Sequence, residues 1–211
     1  VVRGVPDRSL SLAEIAAAWD GWTARAAGDE PGLCGRDVYL EEHMNYPYGV
    51  TVVQLEIDPR TGGPTLRRFF TSCEAGRAIN PMTTEGQVIG AAAQGIGGAL
   101  FEELVYDEDG QPLATSFIDY LLPSASEVPR VDLLVSEDAP TPDNPLGAKG
   151  IGEVGLIAVG AAVAAAVDDA VGMPGLVKKL PLSPSELLAF VDTSVDHGVV
   201  RGAAEPEPSR G

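Results

Sequence analysis

The chain has 211 residues, 45% of them hydrophobic, with 31 acidic against 14 basic side chains and a net charge of −17. That length suits one large domain or two small ones and is enough to bury a proper core. The negative balance speaks against nucleic acid and against an anionic membrane surface as partners, because both need clustered Lys and Arg.

The chain starts Val1-Val2-Arg3-Gly4, without an initiator Met or a signal-peptide core, and is expected to be a segment of a longer polypeptide or a trimmed one. Ser11-Leu12-Ala13-Glu14 has the form of a capping box, and the Ala-rich stretch to Ala27 continues it as one helix until Gly28. Cys34 and Cys73 are too few to hold an iron–sulfur cluster or a structural zinc. Two reduced, packed thiols in a cytoplasmic protein are expected, with a disulfide left open. Three strands follow, over residues 37–46, 50–57 and 65–73. The turn at 58–63 is too short for a crossover helix, so the last two pair as an antiparallel hairpin.

Asn80-Pro81 then opens a helix, with Asn as N-cap and Pro at the first position, running to about residue 103. It contains Gly86, Gly90, Gly95, Gly97 and Gly98, each costing roughly 1 kcal/mol against Ala in a helix interior. A neighbouring backbone or a ligand must therefore come close to it. Gln87 and Gln94 lie two turns apart on one face, as ligand contacts or as glutamines making local hydrogen bonds. A turn at 106–110 and a strand at 131–137 come next, then a Pro-rich stretch at 139–145. The segment 154–171 reads as a helix buried on most faces. Its apolar run to Val167 is expected to be too short for a membrane span, ending as it does in Asp168-Asp169. A closing strand over 176–180 and a terminal helix from the capping box at Ser183 to about Asp192 complete an α+β order. Residues 1–192 thus form the folded segment, and 193–211 a mobile, polar tail.

Between the Pro-rich stretch and the apolar helix stands Gly147-Ala148-Lys149-Gly150-Ile151-Gly152-Glu153-Val154-Gly155. Glycines at that density let backbone close on a bulky ligand. A carboxylate held at such a mouth, beside an apolar helix, is suited to base work, though a solvated Glu on an ordinary loop is the plainer alternative. The stretch Gly150 to Gly155 satisfies G-x-G-x-x-G, yet an irregular Pro-containing loop precedes it where a dinucleotide fingerprint needs a strand. A Glu inside the loop would also repel a pyrophosphate, which disfavours a nicotinamide-binding oxidoreductase. Neither a phosphate-binding loop nor a serine nucleophile elbow occurs. His43 and His197 fall outside any triad or ligand cluster, and no metal-ligating residue is expected in this chain.

Taken in order, the motifs are Gly76-Arg77-Ala78-Ile79-Asn80-Pro81, Glu85-Gly86-Gln87, Gln94-Gly95-Ile96-Gly97, Phe101-Glu102-Glu103 and Pro145 through Glu153. Together they resemble the C-terminal part of the large, molybdopterin-binding subunit of the molybdenum hydroxylase family. That family comprises the xanthine dehydrogenases, aldehyde oxidases and carbon monoxide dehydrogenases. Tyr48-Gly49-Val50, Asp119-Tyr120-Leu121-Leu122-Pro123 and Leu180-Pro181-Leu182-Ser183-Pro184 fit as well, so the resemblance covers most of the chain. It implies part of the family's molybdopterin-binding domain as the fold, with Glu153 as general base and Gln87 hydrogen-bonding the pterin. Gly86, Lys149, Gly150 and Gly152 are implied as cofactor-binding positions too, the last three within the loop that presents the base. The implied activity is oxidative hydroxylation of an electron-poor carbon in a purine, an aldehyde, an N-heterocycle or carbon monoxide, with water as the oxygen source. The implied cofactor is molybdopterin with molybdenum, as the cytosine dinucleotide form. Electrons leave through [2Fe–2S] and FAD on partner domains or subunits, beside the remaining part of the molybdopterin-binding subunit. The rival from another class is a non-catalytic assembly module that keeps the fold without cofactor.

Overall fold

A computed structural model describes residues 9–28, 32–33, 35–40 and 42–199. By internal packing the chain divides between Glu42 and His43. The first unit carries two short helices, α1 (Leu12–Ala18) and α2 (Gly21–Ala27). Ser11 and Glu14 form the expected capping box. The single helix to Ala27 is corrected to two, because the Asp20 carboxylate caps Trp22 and Thr23 and restarts the helix. A good N-cap residue inside a helical pattern is itself a start signal. Gly28 closes α2 in the left-handed conformation, at φ 84°. Cys34 lies outside the described residues.

The second unit is built on a three-stranded sheet in the order β1 (Tyr48–Ile57), β2 (Pro64–Glu74), β3 (Val131–Ser136). The hairpin β1–β2 is antiparallel as expected, with a bulge between Gln54 and Leu55. β3 adds to the other side of β2 in parallel, Phe69 facing Val131 and Cys73 facing Val135. A parallel neighbour requires a crossover, and the helix α3 (Pro81–Leu100) provides it. Asn80 caps α3 by accepting a hydrogen bond from the Thr83 amide.

The core forms where α3 and α5 (Val159–Val171) lie against the inner face of the sheet. Phe69, Ala92, Ile96, Val159, Val163, Val167, Leu182 and Leu187 are all buried there. α6 (Pro184–Asp196) contributes Leu187 from a capped start at Ser183. It ends four residues beyond the expected Asp192, with His197 as its C-cap. Beyond residue 199 the expected tail lies outside the described residues.

Five further expectations are corrected. No strand forms over the described residues of 37–46, which find no ladder partner, and none over 176–180, which is turn and irregular chain. The segment 154–171 breaks at Ala158 into α4 (Val154–Ile157) and α5. By length and mean hydropathy, 1.9 over 18 residues, this segment does suffice for a membrane span. Its packing is that of a core helix with one buried stripe, Val159, Val163, Val167 and Val171, rather than burial on most faces.

Candidate active site

The glycine-rich loop is pinned before it reaches Glu153. The Asn144 side-chain oxygen accepts from the amides of Leu146 and Ala148, and its amide nitrogen donates to the Ala148 carbonyl at 2.9 Å. Gly147 takes φ 69°, and a Cβ there would stand 2.9 Å from the Pro140 ring, so the turn excludes other residues on two counts. The Lys149 amide donates to the Ala75 carbonyl at 3.0 Å. Its ammonium donates to Glu74 Oε2 at 2.5 Å, in a pair whose side chains are only 10% and 2% exposed.

Glu74 is also satisfied from its own side. Its Oε1 accepts from the Gly76 amide at 2.6 Å and the Ala139 amide at 3.2 Å. Burial alone would push this carboxyl up, but the Lys149 ammonium and the two amides outweigh it and hold it below the ordinary carboxylate value. Next to it, burial and then the Glu74 charge push the Cys73 thiol up, and the sulfur is free. The Lys149 ammonium also sits 5.4 Å from the centre of the Tyr48 ring.

Past this anchor the loop runs between two clefts and shows its residues to them in turn. One cleft, of about 630 Å³, has Met44 to Gly49 on one wall and Gly150, Gly152, Glu153 and the start of α4 on the other. The second, of about 260 Å³, lies at the N-terminal end of α3, among Arg77 to Asn80, Gln87, Lys149 and Ile151. Gly150 donates its amide to Asn45 Oδ1 at 3.3 Å. Glu153 stands at the N-cap position, just before α4, and its side chain is exposed into the larger cleft and does not cap the helix. Immediately after it Gly155 is pressed on α3, where a Cβ would stand 2.4 Å from the Val88 carbonyl oxygen.

Of the residues singled out from sequence, Gln87, Lys149, Gly150, Gly152 and Glu153 come together around this loop. The Gln87 side-chain oxygen lies 3.9 Å from where a Gly152 Cβ would stand. Gly86, directly before Gln87 on α3, is exposed, with open space where its Cβ would be. Gln94 is exposed two turns further along. His43 and His197 are exposed, and among the described residues no group of His, Cys, Asp and Glu is placed to hold a metal ion. The sequence reading missed Glu74, Asn45 and Asn144. Glu74 ends a strand of mixed polarity, and nothing in its local sequence marks it as buried.

These residues suit a large, flat organic group. Gly150 has nothing within 4 Å of its Cβ position, and Gly152 has only the Gln87 oxygen. Bare backbone and an amide side chain thus meet at the edge of two clefts, with amide donors and acceptors but no thiolate or imidazole to compete for a metal.

A family model described as the molybdopterin cofactor-binding domain matches residues 1–129. The gamma subunit of the 6-hydroxypseudooxynicotine dehydrogenase complex of Paenarthrobacter nicotinovorans is 61% identical over 183 residues, 87% of this chain and 23% of that protein. The large chain of carbon monoxide dehydrogenase from Afipia carboxidovorans is 38% identical over 72% of this chain and 18% of its own length. Among solved structures, the carbon monoxide-reduced Cu,Mo-CO dehydrogenase superposes with a TM-score of 0.81 at 32% identity, covering 94% of this chain and 24% of that one. The chain therefore spans about a quarter or less of the length of these relatives.

Proposed function

Because the chain belongs to the molybdenum hydroxylase family, in its molybdopterin cofactor-binding domain, we propose that it supplies the general base Glu153 and part of the cofactor pocket to a molybdenum-dependent hydroxylase. The observation that carries this reading is the placement of Glu153. Its carboxylate stands exposed in the larger cleft, at the joint between a pinned glycine loop and a helix packed on α3.

When bound, the molybdopterin group supplies the two-electron oxidation of an electron-poor substrate carbon, the added oxygen coming from water. Glu153 takes the proton released in that step, which requires it within hydrogen-bond reach of its donor. The Gln87 amide hydrogen-bonds the pterin, Gly86 lets the group approach α3, and Gly150 and Gly152 keep its edge free of side chains. Lys149 serves the loop rather than the ligand, since its ammonium is taken up by Glu74. The α4–α5 joint and the Met44–Gly49 wall exclude water once the rest of the subunit is in place.

The complete enzyme joins this chain to the remaining part of the molybdopterin-binding subunit and to partners carrying [2Fe–2S] and FAD. The cofactor is the cytosine dinucleotide form and the location cytoplasmic. The 61% identical relative is named for 6-hydroxypseudooxynicotine and a 35% identical one for nicotine. Within the family's range this favours an N-heterocyclic substrate over carbon monoxide.

The test is Glu153→Gln in the assembled complex, a change that keeps shape and hydrogen bonding but removes the base. Turnover per bound molybdenum should fall by about 10²–10⁴-fold, with molybdenum content unchanged. Turnover within about threefold of wild type would remove the base assignment.

A further inference from the structure

We propose that Glu74 and Lys149 form a positioning pair that sets where the Glu153 carboxylate stands in the larger cleft. This rests on the reading of Glu153 as the base. Three observations carry it. The pair is buried, with side chains 2% and 10% exposed, and the Glu74 carboxylate accepts from segments that border a cleft or lead into the loop: Gly76, Ala139 and Lys149. The ammonium also faces the ring of Tyr48, which lines the larger cleft and stands opposite Glu74 in the β1–β2 ladder. Finally, the Lys149 backbone is tied to Ala75, so side chain and main chain of one residue fix the start of the span leading to Glu153, which is otherwise held by a 3.3 Å turn bond from the Val154 amide to the Ile151 carbonyl and by the first turn of α4. At its far end Gly155 is held against α3 with no room for a Cβ.

Between those two anchors lie Gly150, Ile151, Gly152, Glu153 and Val154. Glycines give such a span a wide choice of backbone conformations. The Gly150–Asn45 hydrogen bond, at 3.3 Å, is long for an amide donor. Buried ion pairs contribute little net stability, and their best-attested use is to specify one arrangement among several. Here the arrangement specified is the register of the loop against the ends of β2 and β3. A misplacement of about 1 Å at a reacting group can cost on the order of 10²-fold in rate, so a pair that removes freedom from this span acts on catalysis without touching substrate.

The experiment uses the assembled enzyme with Lys149→Met and Lys149→Arg. Two readouts are taken: kcat and KM per bound molybdenum, and amide hydrogen exchange over residues 148–154. Lys149→Met should lower kcat by at least about tenfold, leave KM within about twofold, and speed loop exchange by about tenfold or more, while the amides in the middle of α3 keep their rates. Lys149→Arg, which keeps the cation, should recover most of both effects. Unchanged loop exchange in Lys149→Met overturns the proposal, and so does an Arg variant no better than Met. If Lys149→Met does not assemble, Glu74→Asp shortens the arm with its charge intact, and the same two readouts decide. A silent Glu153→Gln would defeat the base reading alone, because the exchange rates report on the loop whatever Glu153 does.

Discussion

Gln87 and Gln94 share one face of α3, yet only Gln87 stands beside the loop, with its side-chain oxygen 3.9 Å from the Gly152 Cβ position. Gln87→Ala should therefore lower molybdopterin occupancy in the assembled enzyme and leave its melting temperature near wild type, whereas Gln94→Ala should do less. Pterin fluorescence after denaturation measures both, and an equal loss from the two variants would assign the face a structural role. At this scale the sequence was informative wherever chemistry is local. Glycine density and one carboxylate singled out the loop from Lys149 to Glu153, and the structure gathers those residues around two clefts. Glu74 was not legible, because its partner lies 75 positions away and its burial depends on β2, the exit of β3 and the loop meeting in one place. Lys149 shows the same limit: a lysine beside glycines reads as a ligand contact until the distant carboxylate is seen.

The helices show how glycine can be read at the level of the element. Gly95 and Gly155 are where neighbours close in, with Val159 side-chain carbon 2.6 Å and the Val88 carbonyl oxygen 2.4 Å from the respective Cβ positions. Gly90, on the other side of α3, has nothing within 4 Å. Gly155→Ala should thus cost about 1–3 kcal/mol through forced separation of α4 from α3. Gly90→Ala should add up to about 1 kcal/mol by helix propensity alone. Urea unfolding of the chain distinguishes them, and a destabilising Gly90→Ala would mean that the space at Gly90 is not open. Helix starts were legible because caps are local: Ser11, Asn80 and Ser183 each bond the amide three residues on. The restart at Asp20 was read through, since an Asp within an Ala-rich run fits a helix interior as well as a cap. The strands expected over 37–46 and 176–180 failed for the opposite reason. Apolar pattern supplies a face, but a strand exists only if another strand offers it a ladder, and no periodicity records that.

For the molecule as a whole, the core packs against one face of the sheet, and several apolar residues of the other face are exposed. Phe69, Thr71 and Cys73 point into the core, while Val50, Val52, Phe70 and Leu134 stand exposed on the outer face. With a quarter or less of its relatives' length, the isolated 211-residue chain should retain no molybdenum, and stoichiometric metal by elemental analysis would show a more self-contained site. The same chain should self-associate through that face. Its charge of −17 opposes association at low ionic strength, and screening at about 0.15 M salt shortens the repulsion to roughly 8 Å. Sedimentation should therefore show larger species as salt rises, and Val52→Lys should suppress them; salt-independent monomers would refute it. The open face also makes concentration a physical variable. Pairwise encounters grow with the square of concentration, so while this face is bare each doubling of the chain quadruples the collisions that can bury Val50, Val52, Phe70 and Leu134 against a second copy.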